Sequence, residues 1–272
     1  MKNVLLNFLF LSLLVVACQP AADQEGEEAA TTAAESVDNP PAPGFAAAAS
    51  DEWAIEIADE VMAAMGGRRA WDTTRYLAWN FFGARKLLWD KHTGRVRIEV
   101  PREETVYLID IDEDSGQVLR QGEPVEHPDS LAKYVRRGKS IWINDAYWLV
   151  MPYKLKDSGV TLKYMGEDTT QAGTPADVLQ LTFENVGDTP QNKYHVYVDK
   201  DSRLVTQWDF YRDAADPEPG FTTPWQDYQQ YDGILLSGDR GERQLTEIAV
   251  FNEVPNAAFN AFDPVDYGRL NK

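Results

Sequence analysis

The stretch "RVRIEV" at residues 95–100 decides the fold class that we predict for this chain. Val96, Ile98 and Val100 alternate with charged residues, which is the period typical of a strand with one buried and one exposed face. Many other segments are strand-like, and some, such as residues 76–82, are apolar on both faces, so we expect them to lie under helices or to line an interior. The predicted strands cover residues 75–82, 86–89, 95–100, 105–111, 117–120, 161–165, 178–183, 194–198, 204–211 and 247–251.

Two amphipathic helices interrupt these strands. The first begins after Ser50, which is a suitable N-cap, and ends at a pair of glycines, residues 66–67. The second begins at Pro128, and we expect Gly138 to interrupt it. The following residues fit a helix or a strand, and we favour a helix that continues to Val150. We therefore predict an α+β, mainly β fold, in which a curved antiparallel sheet forms an unclosed half-barrel with helices as a lid.

Residues 1–17 have the features of a signal peptide. A positive start at Lys2 is followed by an apolar run of about 14 residues, shorter than the ~20 that a membrane-spanning helix needs. The run ends in "VVAC", which resembles the lipobox of bacterial lipoproteins. Cys18 is the one cysteine of the chain, so it has no partner for an internal disulfide. We predict that Cys18 is acylated and anchors the protein to a membrane; an unmodified secretory leader is the alternative.

The next segment, residues 18–50, is rich in Ala, Glu, Thr and Pro and contains no Lys or Arg. Such a composition cannot offset the entropy lost on ordering, so we predict a disordered acidic tether. A Gln directly after the cysteine, here Gln19, resembles the pattern of lipoproteins that are sent to the outer membrane. We therefore predict an outer-membrane lipoprotein that faces the periplasm or the surface. We expect residues 51–272 to form a single domain. The net charge of −18 argues against nucleic acid as a partner.

The stretch "IDIDEDSGQV" at residues 109–118 begins like a calcium loop. An EF-hand loop places glycine sixth and a bidentate glutamate twelfth, whereas Ser115 and Gln121 stand at those positions here. The segment is instead similar to those after Asp90 and Asp199, and aligning the three places Asp112 with these aspartates. We predict three hairpin turns, with Asp112 and Ser115 fixing this one, and no metal site.

The residues offer no recognisable catalytic site. The three histidines, at positions 92, 127 and 195, do not form a zinc motif, and no nucleophile elbow or phosphate-binding glycine loop occurs. We therefore expect a protein that is not an enzyme and has no cofactor, although chance pairs among 44 acidic residues leave a two-carboxylate hydrolase open.

Aromatic residues are the remaining signal. The chain has 8 Trp, and they occur on nearly every predicted element. A bulky core would account for the presence of any single Trp. A curved sheet that a helix covers incompletely also leaves an apolar cavity, which several Trp could line. We predict that a cavity is lined by Trp79, Trp89, Trp148 and Trp208 as packing surfaces.

The order of these features resembles a known type of protein. A lipobox, a tether, an N-terminal helix ending in glycines, and an antiparallel meander with a helical insertion resemble the LolA and LolB type of lipoprotein carrier. The phrases "WINDAYWLVMPYKLKDSGV" and "WQDYQQYDGILLSGDR" also resemble uncharacterised bacterial lipoproteins of this group. The resemblance implies an unclosed β-barrel that carries acyl chains in its interior. It covers about residues 51–264 and transfers no individual binding residue.

These observations leave three hypotheses for the function. The first is a non-enzymatic envelope lipoprotein that binds a lipid or other apolar ligand in its half-barrel. The second is a surface lipoprotein that binds or processes carbohydrate on exposed Trp or Tyr. The third is a structural envelope protein without a small ligand.

Overall fold

The computed structural model describes residues 39–270, and its largest element is an antiparallel sheet of nine strands. These strands are β1 (Tyr76–Phe81), β2 (Arg85–Asp90), β3 (Arg95–Val100), β4 (Thr105–Asp110), β5 (Ser115–Arg120), β6 (Glu123–Pro124), β12 (Gln226–Tyr231), β13 (Ile234–Arg240) and β14 (Arg243–Phe251). Their order is β12-β13-β14-β1-β2-β3-β4-β5-β6. The edge strands β12 and β6 do not pair with each other within the described residues, so the sheet is open.

A second antiparallel sheet has five strands. They are β7 (Val160–Thr169), β8 (Pro175–Phe183), β9 (Lys193–Asp199), β10 (Val205–Tyr211) and β11 (Phe221–Pro224), in the order β11-β10-β9-β8-β7. This sheet is also open in the described part of the chain. Two open antiparallel sheets with helices confirm the predicted mainly β class and the unclosed half-barrel.

Four α-helices accompany the sheets. They are α1 (Glu52–Ala64), α2 (Gly67–Thr73), α3 (Pro128–Val150) and α4 (Ala257–Asn260). The predicted N-terminal helix and the predicted insertion are both confirmed, the latter with its expected bounds. The glycine pair ends α1 but also begins α2. Gly66 has φ +108°, and a Cβ there would lie 2.1 Å from the carbonyl oxygen of Gly233, so the chain needs glycine at this turn.

Two polar residues fix the start of α1 differently from the prediction. Asp51, and not Ser50, is the N-cap residue. The Ser50 hydroxyl accepts a hydrogen bond from the Leu162 backbone N–H at 3.0 Å. The Asp51 carboxylate accepts one from the Tyr164 N–H, also at 3.0 Å, and another from Lys163. Both side chains therefore fasten the helix to β7 because the neighbouring strand offers unpaired donors.

The folded region begins upstream of the boundary predicted at residue 51. The backbone N–H of Ala42 donates to the carbonyl of Lys156, and that of Ala46 donates to the carbonyl of Val160. The Asn39 side chain is buried and donates to Asp59 at 2.7 Å. Residues 39–50 thus run along the edge of β7 and satisfy its backbone groups, which their composition did not indicate.

Helix α3 continues through Gly138, where we expected an interruption. A Cβ at this position would lie 3.1 Å from the Cδ1 atoms of both Tyr107 and Ile109. The glycine therefore allows the helix to cross close to β4. Packing against the sheet offsets the low helix propensity of glycine, which is why sequence alone misjudged this position.

The stretch at residues 109–118 is a hairpin turn, as predicted, but a different aspartate fixes it. The carboxylate of Asp110, the last residue of β4, accepts backbone N–H groups of Asp112 and Glu113 at 3.0 Å each. Asp90 and Asp199 likewise end β2 and β9 and accept backbone N–H groups from their turns. Asp90 and Asp199 therefore correspond to Asp110 and not to Asp112. The position of an aspartate at the end of its strand, and not its spacing to Ser or Thr, determines whether it accepts the backbone N–H groups of the turn.

The faces of the large sheet are covered by different parts of the chain. Its inner face, which carries Trp79, Trp89, Ile98 and Tyr107, packs against α3 in one core shared with the five-stranded sheet. Its outer face carries Tyr76, Leu88 and Phe251 and packs against the C-terminal segment, residues 254–270. Within residues 39–270, no helix combines the length and the hydropathy needed to cross a membrane.

Candidate functional site

An open cleft lies between α3 and the five-stranded sheet. Its volume is about 530 Å³, and most of the exposed atoms that line it are apolar. One wall is the C-terminal half of α3, and the other consists of β8, β9 and the loop between them, residues 184–192. The apolar lining residues are Trp142, Ile143, Tyr147, Trp148, Val160, Phe183, Val186 and Tyr194.

Helical spacing explains the α3 wall. Ser140, Ile143 and Tyr147 recur at intervals of three and four residues, so they form one stripe along the helix. At 100° per residue this stripe points away from Gly138 and Asp145, which face the large sheet. The helix therefore contacts the sheet with one side and presents a second, partly apolar side to the cleft.

The opposite wall carries two aromatic rings, which contact each other and Tyr147 of α3 in edge-on and tilted arrangements. The ring of Tyr194 lies with its centroid 5.7 Å from that of Phe183 and 5.5 Å from that of Tyr147. Phe183 lies 6.3 Å from Tyr147 at a steep interplanar angle. These distances are typical of aromatic pairs, which stabilise a wall beyond the contribution of buried area alone.

Trp148 connects the cleft to the core. Its ring is 4.9 Å from Trp208 and 5.2 Å from Phe82, both in edge contacts, and it stacks on Phe221 at 5.9 Å. Phe221 is 41% exposed, so the aromatic row runs from the interior to the surface.

A buried ion pair fixes α3 on the large sheet. The fully buried carboxylate of Asp145 accepts two hydrogen bonds from Arg85, at the start of β2, at 2.7 and 2.8 Å. Burial raises the pKa of Asp145, and the hydrogen bonds of Arg85 oppose that rise. Such a paired arrangement sets the rotation of α3 and hence the direction of its cleft side.

A buried guanidinium holds the C-terminus of the same helix. Arg240 donates to the carbonyl of Trp148 at 2.8 Å, near the C-terminus of α3, and lies over the Trp225 ring at 3.5 Å. Burial lowers the pKa of Arg240 to about 9, so it remains largely charged at neutral pH. A cation at a helix C-terminus is favourable, and this contact joins α3 to β13.

Charged residues lie at the two ends of the cleft. At one end Lys139 forms an ion pair with Asp114 at 2.5 Å, and the Ser140 hydroxyl donates to Asp188 of the loop at residues 184–192. At the other end Lys154 pairs with Asp157. The middle of the cleft is therefore apolar and its ends are polar, which suits an elongated amphiphilic molecule.

Two polar groups of the lining have no partner among the described residues. These are the hydroxyl of Tyr147 and the indole N–H of Trp142, both buried. Burial raises the pKa of Tyr147 well above its ordinary value and also raises that of Tyr194. Both hydroxyls therefore stay neutral at pH 7 and can act as hydrogen-bond donors.

The four predicted tryptophans are divided between two places. Trp148 lines the cleft, and Trp208, which is 1% exposed, lies directly behind it. Trp79 is fully buried and Trp89 contacts Trp142 at 5.2 Å, both under the large sheet. The interior at these two residues, where we expected a cavity, belongs to the packed core, and neither residue lines the cleft.

Three residues that line the cleft were not predicted as site residues from the sequence: Tyr147, Phe183 and Tyr194. Tyr147 could have been found, because it follows Ile143 on the stripe of α3 once that segment is taken as a helix. Phe183 and Tyr194 could not, because their meeting depends on the register in which Leu181 pairs with Tyr194.

Two further predictions concern metals and the anchor. Among residues 39–270, no three His, Cys, Asp or Glu side chains come together in a way that could hold a metal ion. Cys18, the predicted lipidation site, lies outside the described residues.

The fold and the cleft together define a class: open antiparallel half-barrel domains with an apolar cleft beside a long inserted helix. Solved structures similar to this chain include a DUF1329 family protein from Desulfovibrio piger, with 15% identity, TM-score 0.43, and coverage of 76% of this chain and 97% of that chain. A domain named for outer membrane lipoprotein sorting, from Vibrio parahaemolyticus, has 13% identity, TM-score 0.40, and coverage of 77% and 97%.

The Pseudomonas aeruginosa MucA/MucB complex is a more distant match. It has 14% identity, TM-score 0.20, and coverage of 76% of this chain and 61% of that chain. No protein-family model matches the chain, and no curated protein matches it in sequence. The structures similar to this chain thus include the lipoprotein-sorting class that its sequence resembles.

Proposed function

We propose that this protein is a non-enzymatic lipoprotein of the cell envelope that binds a lipid or other apolar ligand in the cleft beside α3. The observation that carries the proposal is the cleft itself. Its volume of about 530 Å³ lies within the range of small-molecule sites, and its lining is mainly apolar. Transfer of a hydrocarbon chain from water to such a surface is favourable by about 0.8 kcal/mol for each buried methylene.

The polar groups of the lining support a lipid over a pure hydrocarbon. The Tyr147 hydroxyl and the Trp142 N–H are buried donors without a partner in the described chain. An unpaired buried donor costs about 1–3 kcal/mol, and a rotation of either side chain towards the cleft would let an ester or carboxyl oxygen of a ligand recover part of that cost.

The membrane anchor is the second part of the proposal. Acylation of Cys18 would place the domain at the outer membrane, facing the periplasm or the surface, and residues 19–38 would provide the distance between anchor and domain. Replacement C18A is expected to release the protein from the membrane fraction or to leave it unprocessed. Unchanged fractionation of this variant would contradict the anchor without affecting the cleft.

Native mass spectrometry of the full chain tests the ligand. After extraction in a neutral detergent, we expect an added acyl amphiphile to remain bound to the wild type. Ile143→Trp puts an indole into the cleft and should lower the occupancy about tenfold, which corresponds to about 1.4 kcal/mol. Ala132→Trp, at an exposed position of the same helix, is the matched control and should bind as the wild type does.

Equal occupancy in the two tryptophan variants would show that ligand does not enter the cleft. Circular dichroism of both variants distinguishes a filled cleft from an unfolded domain, since α3 contributes the longest helix of the described chain.

A further inference from the structure

A group of cations adjoins one end of the cleft. Residues 130–139 of α3 contain four cations, Lys133, Arg136, Arg137 and Lys139, and no acidic residue. The whole chain has 44 acidic and 26 basic residues, so this segment has a charge opposite to that of the protein. A local excess of positive charge on a negative protein marks a surface that can attract an anion.

Helix geometry directs two of these cations to the cleft. Lys139 itself lines the cleft. Arg136 precedes Ser140 by four residues and Ile143 by seven, so it lies on the same stripe of α3, about 6 Å beyond Ser140 along the axis. Its long side chain can therefore reach the mouth of the cleft.

The cations differ in how they are paired. Arg137 forms an ion pair with Glu103 at 2.6 Å, and Lys139 forms one with Asp114 at 2.5 Å. Arg136 and Lys133 are exposed and form no ion pair within residues 39–270. At the far end of the cleft the charges of Lys154 and Asp157 balance each other. At the end beside residue 136, the two unpaired cations Lys133 and Arg136 outnumber the one carboxylate of Asp188, so the excess of positive charge is at this end.

We infer that the ligand is an anionic amphiphile, whose apolar chain lies along Ile143 and Tyr147 and whose carboxylate or phosphate is bound by Arg136 and Lys139. This inference rests on the proposed function and names the class of its ligand. A guanidinium binds carboxylate and phosphate through paired hydrogen bonds, which an alcohol or a cationic head cannot accept in the same way. Asp188 at the same mouth keeps its negative charge, because its partner Ser140 is a neutral hydroxyl, and Lys133 and Arg136 together outnumber it.

The test uses the full chain in a neutral detergent with a mixture of ligands that have the same chain length. Dodecanoate, dodecyl phosphate, 1-dodecanoylglycerol and dodecyltrimethylammonium are added in equal amounts, and native mass spectrometry reads their occupancies. We expect each anionic ligand to exceed the neutral and cationic ones about tenfold, as a charge-assisted contact of about 1.4 kcal/mol requires.

A double variant assigns the preference to residues. R136Q with K139Q should lower the occupancy of both anions about tenfold and leave that of 1-dodecanoylglycerol unchanged. The matched control is R69Q with K200Q, which removes one exposed arginine and one ion-paired lysine from elsewhere on the surface. The control should retain the preference of the wild type.

Three outcomes would overturn the inference. They are equal occupancy of anionic and neutral ligands, the same loss in the control as in the double variant, and displacement of dodecyl phosphate by inorganic phosphate at similar concentration, which would mean a simple anion site. In the first two cases the neutral ligand still binds and the proposed function stands. Binding of no amphiphile by the wild type would instead refute the proposed function.

Discussion

Two aromatic surfaces of this protein differ in how far the chain itself covers them. The outer face of the nine-stranded sheet is closed by residues 254–270, which pack on Tyr76, Leu88 and Phe251. The cleft beside α3 also has aromatic walls, but it stays open. Similar side chains are therefore used in one place as a permanent interior and in another as a surface available to a ligand.

Polar contacts account for the closed state of the outer face. The buried guanidinium of Arg97 donates to the carbonyls of Ala258, Ala261 and Asp263 at 3.3, 2.9 and 3.0 Å. Arg95 lies over the ring of Phe259 at 4.9 Å. The C-terminal segment is thus held by several donors at once, and these satisfy the carbonyls that follow α4.

The cleft has a weaker closure. The loop at residues 184–192 reaches α3 through the hydrogen bond between Ser140 and Asp188, both of which are exposed. An exposed contact of this kind is worth less than a buried one, because water competes for both partners. We therefore expect the outer face to contribute stability, and the binding that we propose would take place at the cleft.

The largest expected effect comes from opening the closed surface. Arg97→Met keeps the length of the side chain but leaves the carbonyls around Ala261 without donors. We expect a loss of about 3 kcal/mol in the free energy of unfolding, measured by urea denaturation at neutral pH. Ligand occupancy of the folded variant should be unchanged, because the cleft is on the other side of the sheet.

Arg120→Met is the control for this prediction, since Arg120 is an exposed arginine on the same sheet. Its stability should stay within about 0.5 kcal/mol of the wild type. A loss in Arg97→Met no larger than that of the control would mean that the C-terminal segment is not held by this residue.

A smaller effect is expected from Asp90, which lies on the same side of the sheet as Leu88. Burial opposes its ionisation, but hydrogen bonds from Arg75 and Arg95 prevail and lower the pKa of Asp90 from 3.8 to about 2. A lowered pKa in the folded state adds stability above the unfolded pKa and removes it as the pH falls through the folded one. Asp90→Asn should therefore lose about 2 kcal/mol at neutral pH.

The pH dependence of that loss is the sharper measurement. The difference between wild type and Asp90→Asn should be constant above pH 4 and shrink as the pH falls from about 4 to about 2. Asp112→Asn, a change at an exposed residue of a neighbouring turn, is the control and should change the stability at neutral pH by less than about 0.5 kcal/mol. If the stability difference between the wild type and Asp90→Asn persisted at low pH, its cause would be the shape of the side chain and not its charge.

How far the sequence predicted this molecule depends on the range of the interactions involved. The alternation in residues 95–100 and the apolar stripe of α1 are local, and both elements formed as predicted. Gly138 was misjudged because its role depends on β4, which passes within 3.1 Å of a Cβ there. The prediction that Asp112 fixes its turn was wrong for a related reason. Asp110 fixes the turn because it stands at the end of β4, and a local spacing does not show this.

The residues of the candidate site also divide into those that could be predicted from local sequence and those whose role depends on long-range contacts. Trp148 was among the lining residues that we predicted from the density of aromatic residues along the elements, and it lies in the lining of the cleft. Trp79 and Trp89 were predicted with it, but whether α3 fills the space in front of them depends on how deeply the helix lies on the sheet. The Asp145–Arg85 pair and Gly138 together determine that depth, and neither contact can be read from one segment alone.

The smallest expected effect concerns the open surface and separates binding from stability. Ser140→Ala removes the contact to Asp188 and should cost only about 0.5 kcal/mol of folding stability, because the bond is exposed. Release of a bound fluorescent fatty acid, followed by stopped flow, should become about twofold faster, since the loop at residues 184–192 loses its link to α3. Ser202→Ala, at an exposed serine of the turn between β9 and β10, also removes one exposed hydrogen bond to a carboxylate and serves as the control. An unchanged release rate in Ser140→Ala would mean that this loop does not limit the exit of the ligand, and the difference between the two surfaces would then depend on the aromatic walls alone.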